Sequence, residues 1–401
     1  MSVAKNGVMS LLGGVPSDAG VANSKGLLPL TDFYNTPESF AATGKPGDLI
    51  RSMNFDGYNL PQGIKATRIL YGTTTSQGDL VTCSGVVLLP QGEAPEGGWP
   101  VIAWAHVTSG VNRRCAPSLM TDGFYDYKVI NIYLEMGYAV VATDYAGLGT
   151  DYPVAYLDRI SNGWDVINSV KAAREALSEL GRKWVAVGAA AGAHAIRGVA
   201  ELQADINDPS YLGVVALSGL GDARTPMVVL SKEAPFLAIY VTEAVKARYP
   251  DFNQADVLTV KGLEVLERAK TECKRPGVSM PEGPPLKGSE VLKENWELNP
   301  YIDKYFKLDE SGQEKYKGPV LVINGEKESP PTLANDIEAT KRMCQQQGLK
   351  VQFKLIPGAN HFTLQSASIE DQMDWIADRF AGREIPSNCE TILKKSGSSP
   401  I

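Results

Sequence analysis

The segment Trp184-Val-Ala-Val-Gly-Ala-Ala-Ala-Gly-Ala-His194 constrains this chain more than any other. An apolar run ending in Gly188 reads as a buried strand, and a helix of small residues opens near Gly192. Joining the two so abruptly requires a tight, strained turn, and the residues two before and two after its centre must be small. Gly188 and Gly192 hold those places in the pattern G-x-S-x-G, a turn that lifts a nucleophile clear of the sheet. The centre here is Ala190, which has no hydroxyl. A plainer alternative is that small residues only let helix and strand approach closely. The segment alone does not separate the two.

The rest of the chain supplies a frame for such a turn. Ala66–Tyr71 and Val81–Leu89 read as an opening hairpin. Pro100–His106, Tyr138–Asp144, Lys183–Gly188, Leu212–Leu217, Pro319–Asn324 and Val351–Ile356 read as short buried strands. Helical periodicity falls between them: Val166, Ile167, Val170, Ala173, Leu177 and Leu180 form one stripe, and Ile369, Met373, Ile376 and Phe380 another. Such alternation predicts an α/β fold, a mostly parallel sheet with helices on both faces. From Arg224 to Gly318 no strand pattern is clear. That stretch holds helical pieces at Leu237–Arg248 and Tyr301–Phe306 and a Pro/Gly-rich piece at Arg275–Gly288. It is too long for a structureless loop and predicts an inserted helical cap. The expected division is a core of residues 1–223 and 319–390, a cap or lid of residues 224–318, and a flexible tail of residues 391–401. No internal repeat or low-complexity tract stands out.

Two further residues complete a possible relay. The strand Pro319–Asn324 runs into Gly325-Glu-Lys-Glu328, and Val351–Ile356 runs into Pro357-Gly-Ala-Asn-His361. An acid just past one strand and a histidine just past the next, both after the turn at Ala190, follow the chain order nucleophile, acid, base of α/β-hydrolases. Glu328 has the expected spacing from Gly325, and Glu326 is the alternative acid. Oxyanion donors in this arrangement are the backbone N–H after the turn, at Ala191, and one from the loop after Pro100–His106, for which Val107 is the candidate. His106 and His194 read as structural histidines. Asp144 reads as a residue that fixes a loop through backbone hydrogen bonds.

Composition narrows the function classes. The formal net charge is −7 and no cluster of Lys or Arg stands out, which argues against nucleic acid or an anionic membrane surface as partner. No stretch approaches the roughly 18 apolar residues of a membrane span. The N-terminal Met1–Leu30 lacks the apolar core of a signal peptide, so the protein is either cytoplasmic or has lost a signal that a start Met replaces. Five cysteines without a CxxC pair, and only three histidines, argue against a zinc site. Cys83 reads as a buried strand residue. Cys115, Cys273, Cys344 and Cys389 lie in polar contexts and could form two bridges.

Taken in order, Trp104-Ala-His106, Cys115-Ala-Pro-Ser118, Ala142-Thr-Asp-Tyr-Ala-Gly-Leu-Gly149, the turn at Ala190 and Pro357–Phe362 resemble the secretory lipases, the lipase A type of fungi and bacteria. The resemblance spans roughly residues 35 to 390. It implies an α/β-hydrolase core with a helical cap, a secreted or periplasmic location, and hydrolysis of small-molecule carboxylic esters by a Ser-His-Glu triad without metal or organic cofactor. It also implies the pairings Cys115–Cys273 and Cys344–Cys389. Several residues depart from the family pattern. Ala190 replaces the serine, Ala189 and Ala191 replace bulkier neighbours, Val107 follows His106 where bacterial members have glycine, and the acid is Glu rather than Asp. The expected function is that of a serine ester hydrolase inactivated by a Ser→Ala change at position 190. The rivals are a natural non-hydrolytic relative that binds or repurposes the same pocket, and an acyltransferase or peptidase with the same triad. Neither the acyl chain, the alcohol nor the oligomeric state is legible.

Overall fold

The computed structural model describes residues 26–123, 126–219, 221–273, 286–309, 315–384 and 387–394. Most of the N-terminal segment, most of the Pro/Gly-rich piece and the last seven residues lie outside them.

A single nine-stranded sheet runs in the order β1-β2-β3-β5-β4-β6-β7-β8-β9. Its strands are β1 (Leu49–Asn54), β2 (Lys65–Thr74), β3 (Leu80–Leu89), β4 (Trp99–Ala105), β5 (Ala139–Thr143), β6 (Leu180–Ala189), β7 (Tyr211–Leu217), β8 (Val320–Gly325) and β9 (Val351–Ile356). β1, β2, β3 and β5 pair antiparallel, and every pairing from β5 through β4 to β9 is parallel. Parallel strands buried on both faces need near-continuous apolar sequence. Val101-Ile-Ala-Trp-Ala105 and Val320-Leu-Val-Ile323 supply it, and all of these residues are buried. β1 went unread in the sequence because it is a polar edge strand whose last residues are exposed.

Thirteen helices occur among the described residues, the first two being α1 (Glu38–Thr43) and α2 (Tyr127–Glu135). On one face of the sheet lie α3 (Arg159–Ala176) and α4 (Ala191–Ile206), which bury Val166, Val170, Ile196 and Val199. α2 covers the other face, and so does a C-terminal helix carrying Ile369, Trp375 and Ile376. The stripe expected through Leu180 is shorter than its pattern. α3 ends at Ala176, Leu177 is its cap residue, and Leu180 begins β6. Periodicity carried the pattern past the helix because all of these apolar residues feed one core.

Between β7 and β8 the chain forms α5 (Arg224–Leu230), α6 (Phe236–Arg248), α7 (Val260–Ala269), α8 (Gly288–Val291) and α9 (Pro300–Lys307). Their buried Leu237, Ile239, Val241, Ile302 and Phe306 belong to the same apolar cluster as α3 and α4. A buried polar join accompanies it. The Asp309 carboxylate lies 2.9 Å from His194 Nε2 and 3.5 Å from both Arg159 Nη1 and Arg197 Nη1. Burial pushes this carboxyl up, but His194, Arg197 and Arg159 outweigh it and hold the group below its ordinary range. His194 is therefore a structural residue on α4.

After β8 come α10 (Pro330–Cys344), then, past β9, α11 (Leu364–Ala367), α12 (Ile369–Phe380) and α13 (Cys389–Lys394). Residues 391–394, assigned to the tail on sequence, complete α13, where Ile392 is buried. Disulfides join Cys115 to Cys273 and Cys344 to Cys389, and Cys83 is a buried free thiol. Among the described residues no helix is long and apolar enough to cross a membrane.

Candidate active site

In open parallel sheets the binding crevice lies beyond the carboxyl ends of the strands. The ends of β6, β7, β8 and β9 meet there. β6 turns into α4 through Ala190, whose backbone stands at φ 50°, ψ −115°. A non-glycine residue at positive φ outside the helical well is strained by about 1–3 kcal/mol and persists only where its surroundings enforce it. Here a Cβ at Gly188 would overlap the carbonyl of Gly192, and one at Gly192 would overlap the carbonyl of Ala105. Helix, turn and neighbouring strand therefore need both glycines. Gly192→Ala is expected to lower stability by about 3 kcal/mol in urea unfolding, the upper range for overpacking a tight site. A loss below about 1 kcal/mol would mean that α4 simply shifts away and that the turn is not enforced by close packing.

β8 leads into Glu328 and β9 into His361. His361 Nδ1 lies 3.1 Å from Glu328 Oε1. Glu326, the other candidate acid, instead accepts the backbone N–H of Gly358 at 2.9 Å. The His361 side chain is 40 % exposed while that of Glu328 is buried. Burial pushes the Glu328 carboxyl up, but the hydrogen bond and charge of His361, the Ser218 hydroxyl and the Ser329 backbone together hold it below its ordinary range. The Glu328 carboxyl is thus set to stay ionised beside His361. Beside His361, Phe362 is 82 % exposed.

The oxyanion candidates flank the turn. Ala191 is the first residue of α4, where backbone N–H groups have no partner within the helix. Val107 follows His106 in the loop after β4. His106 Nδ1 lies 2.6 Å from the Val107 carbonyl and Nε2 lies 3.1 Å from that of Asp144. Burial pushes this imidazole down to about 4, so it is neutral and fixes the loop. Asp144 accepts hydrogen bonds from the Ser84 hydroxyl at 2.6 Å and the Ser118 backbone at 2.8 Å, and contacts the Ser118 hydroxyl. It anchors the Cys115–Ser118 loop.

Comparisons with known proteins bear on the family and the fold. The model of the secretory lipase family matches residues 119–388. The chain belongs to the secretory lipase family. Among its relatives, a protein of Mycobacterium tuberculosis described as a probable inactive lipase is 24 % identical, over 90 % of this chain and 84 % of that one. A secreted triacylglycerol lipase of Malassezia globosa is 24 % identical, over 89 % of this chain and 80 % of its own length. The fold resembles that of Candida antarctica lipase A in its closed state, at TM-score 0.72 and 18 % identity, over 92 % and 94 % of the two chains. It also resembles a cell-wall-degrading esterase of Xanthomonas oryzae, at TM-score 0.65 and 18 % identity, over 84 % and 98 %. The family makes this an α/β-hydrolase of the lipase and esterase type.

One residue of the crevice escaped the sequence reading. Ser218, the first residue past β7, places its hydroxyl 2.8 Å from Glu328 Oε2 and 3.2 Å from His361 Nδ1. The signal that could have found it is Ser218-Gly219 directly after a buried strand that neighbours the turn.

Proposed function

We propose that this secretory lipase scaffold binds carboxylic esters and carries the acid and base of a serine hydrolase without its nucleophile. Position 190 is the nucleophile site, His361 the base and Glu328 the group that orients His361. The observation that supports this reading most is the strained turn. Ala190 keeps a backbone conformation that an alanine does not favour. A strand and helix joined only for packing have no need of it, whereas a turn that must present a side chain does.

With a hydroxyl at position 190, acyl transfer would run in two steps. The oxygen attacks the ester carbonyl, and its proton passes to His361 Nε2. The C–O bond to the alcohol then breaks, and His361 returns the proton to the departing oxygen. Water repeats the sequence on the acyl-enzyme and frees the acid. Backbone N–H groups of Ala191 and Val107 would hold the carbonyl oxygen as it gains charge. None of these steps calls for a metal or an organic cofactor. Without the hydroxyl the pocket can bind an ester but has nothing to attack it. The test is Ala190→Ser followed by hydrolysis of aryl esters.

A second reading has observations of its own. Ala189 and Ala191 flank Ala190, so the departure extends over three residues, and a Mycobacterium tuberculosis relative is described as inactive. A natural non-hydrolytic binder would bind an ester and leave it intact even after Ala190→Ser.

Residues 224–318 form, in this proposal, a cap that selects the substrate, and the exposed Phe362 offers an apolar lip beside His361. Smaller residues at partly buried positions of α6, such as Phe236, should change acyl-chain or alcohol preference in an active form more than they change stability. If such variants only unfold, or keep the same preference, the segment is core and not a lid. The secretory family and the secreted lipase relative support an extracytoplasmic location, where two disulfides persist.

A further inference from the structure

Resting on the reading of Glu328 and His361 as acid and base, we infer that Ser218 is a positioning residue that fixes the tautomer of His361. Its backbone has φ 50°, the same unfavourable sign as Ala190 at the end of the adjacent strand. The register pairs Ala189 with Leu217, so the two strained residues follow one another across the ladder. The strain at Ser218 is enforced from two sides. Its N–H donates to the Ile323 carbonyl at 3.0 Å. The two carboxylate oxygens of buried Asp336 accept the N–H groups of Gly219 and Gly221, each at 2.8 Å.

The hydrogen bookkeeping gives Ser218 its role. Its hydroxyl has one proton, and Glu328 Oε2 at 2.8 Å can only accept it while ionised. The Ser218 oxygen is then left as an acceptor towards Nδ1 of His361 at 3.2 Å. Glu328 Oε1, at 3.1 Å, is an acceptor towards the same nitrogen. Two acceptors converge on Nδ1, so the imidazole proton resides there and Nε2 keeps its lone pair. That is the form a general base needs. The opposite tautomer would set the Nδ1 lone pair against the carboxylate.

Ser218 also answers the departure from Asp to Glu. A glutamate has one more rotatable bond to fix than an aspartate, and ordering it costs conformational entropy. A hydroxyl on Oε2 removes that freedom and leaves Oε1 aimed at His361. Ser218 does not serve as a nucleophile in this arrangement. It meets His361 on the nitrogen that faces the acid, and it is only 3 % exposed.

The experiment is nitrogen NMR of histidine-labelled protein carrying the native Ala190, so it needs no catalytic activity. The chain has three histidines, and His106 and His194 are buried, so His361 is assigned by its loss in His361→Ala. The neutral ring of His361 is expected to carry its proton on Nδ1. Ser218→Ala and Ser218→Gly should both give a mixture of tautomers and faster exchange of the Nδ1 proton. Glycine separates positioning from scaffolding, because it relieves the positive φ while removing the hydroxyl. A merely structural serine predicts that the glycine variant keeps the Nδ1 tautomer. That result, in folded protein, overturns the inference. Glu328→Gln is the parallel control, since an amide at the acid position favours the wrong tautomer. If it leaves His361 unchanged, the acid–base reading itself fails, and the inference with it. If it changes His361 while both Ser218 variants do not, only Ser218 is misassigned. In an Ala190→Ser background, both Ser218 variants should lower kcat roughly tenfold with little change in KM, the size of one charge-assisted hydrogen bond.

Discussion

Ala190→Ser is expected to produce esterase activity where the parent protein has none above background. The reasoning is geometric. The turn already has the backbone φ and ψ of a side chain held out of the sheet, and Gly188 and Gly192 already make the close approaches it requires. His361 and Glu328 are already paired at 3.1 Å. One oxygen is missing, and serine is nearly isosteric with alanine, so the fold should accept it. Loss of the nucleophile from a complete serine triad lowers turnover by roughly 10⁶-fold, so the gain should be correspondingly large. Adding His361→Ala to the serine form should abolish the new activity, because a serine hydroxyl is a poor nucleophile without a base. The assay is hydrolysis of short- and medium-chain aryl esters by folded protein. Full inertness of the serine form across acyl lengths, together with retained binding of an uncleaved ester, would replace the hydrolase reading with that of a binding protein. Activity that survives His361→Ala would remove His361 from the base position.

Much of this fold was legible because its parallel strands are buried on both faces and so stand out as apolar runs. The turn was legible because two close backbone approaches demand glycine at fixed spacing. What escaped the sequence was decided by side-chain direction and by partners far away in the chain. Glu326 and Glu328 are two residues apart and chemically alike. Spacing from Gly325 favours Glu328 in the sequence, but the different partners of the two, the Gly358 N–H for Glu326 and His361 for Glu328, are visible only in the fold. Ser218 has no helical or strand periodicity to mark it, and its meaning depends on residues more than a hundred positions later. β1 was missed because an edge strand is solvated on one side and keeps polar residues that blur its alternation. Leu180 was read into a helix because apolar spacing reports burial and not the point where one element hands over to the next.

Removing the Cys115–Cys273 bridge is expected to give the largest loss of stability of any change away from the crevice. The bond closes a loop of 158 residues, and the chain-entropy argument assigns such a closure ~5 kcal/mol of restraint on the unfolded chain. The Cys344–Cys389 bridge closes 45 residues and should be worth ~4 kcal/mol by the same argument. Domains of ordinary stability have only about 5–15 kcal/mol in all, so either loss would be large. The effect of the longer bridge should fall on stability more than on the pocket. The amide of Asn112 still donates to the carbonyls of Ala269 and Glu272 at 3.1 Å, which keeps the end of α7 beside the loop that holds Cys115. Arg248 still reaches Asp158 at 3.2 Å across the same boundary. Paired alanine substitutions at each bridge, followed by urea unfolding, measure both losses. The unfolding midpoint should fall further for Cys115/Cys273 than for Cys344/Cys389, while an active form retains its ester preference. The reverse order would mean that the bridges act through native contacts near α10 and α13 and not through the length of chain they close.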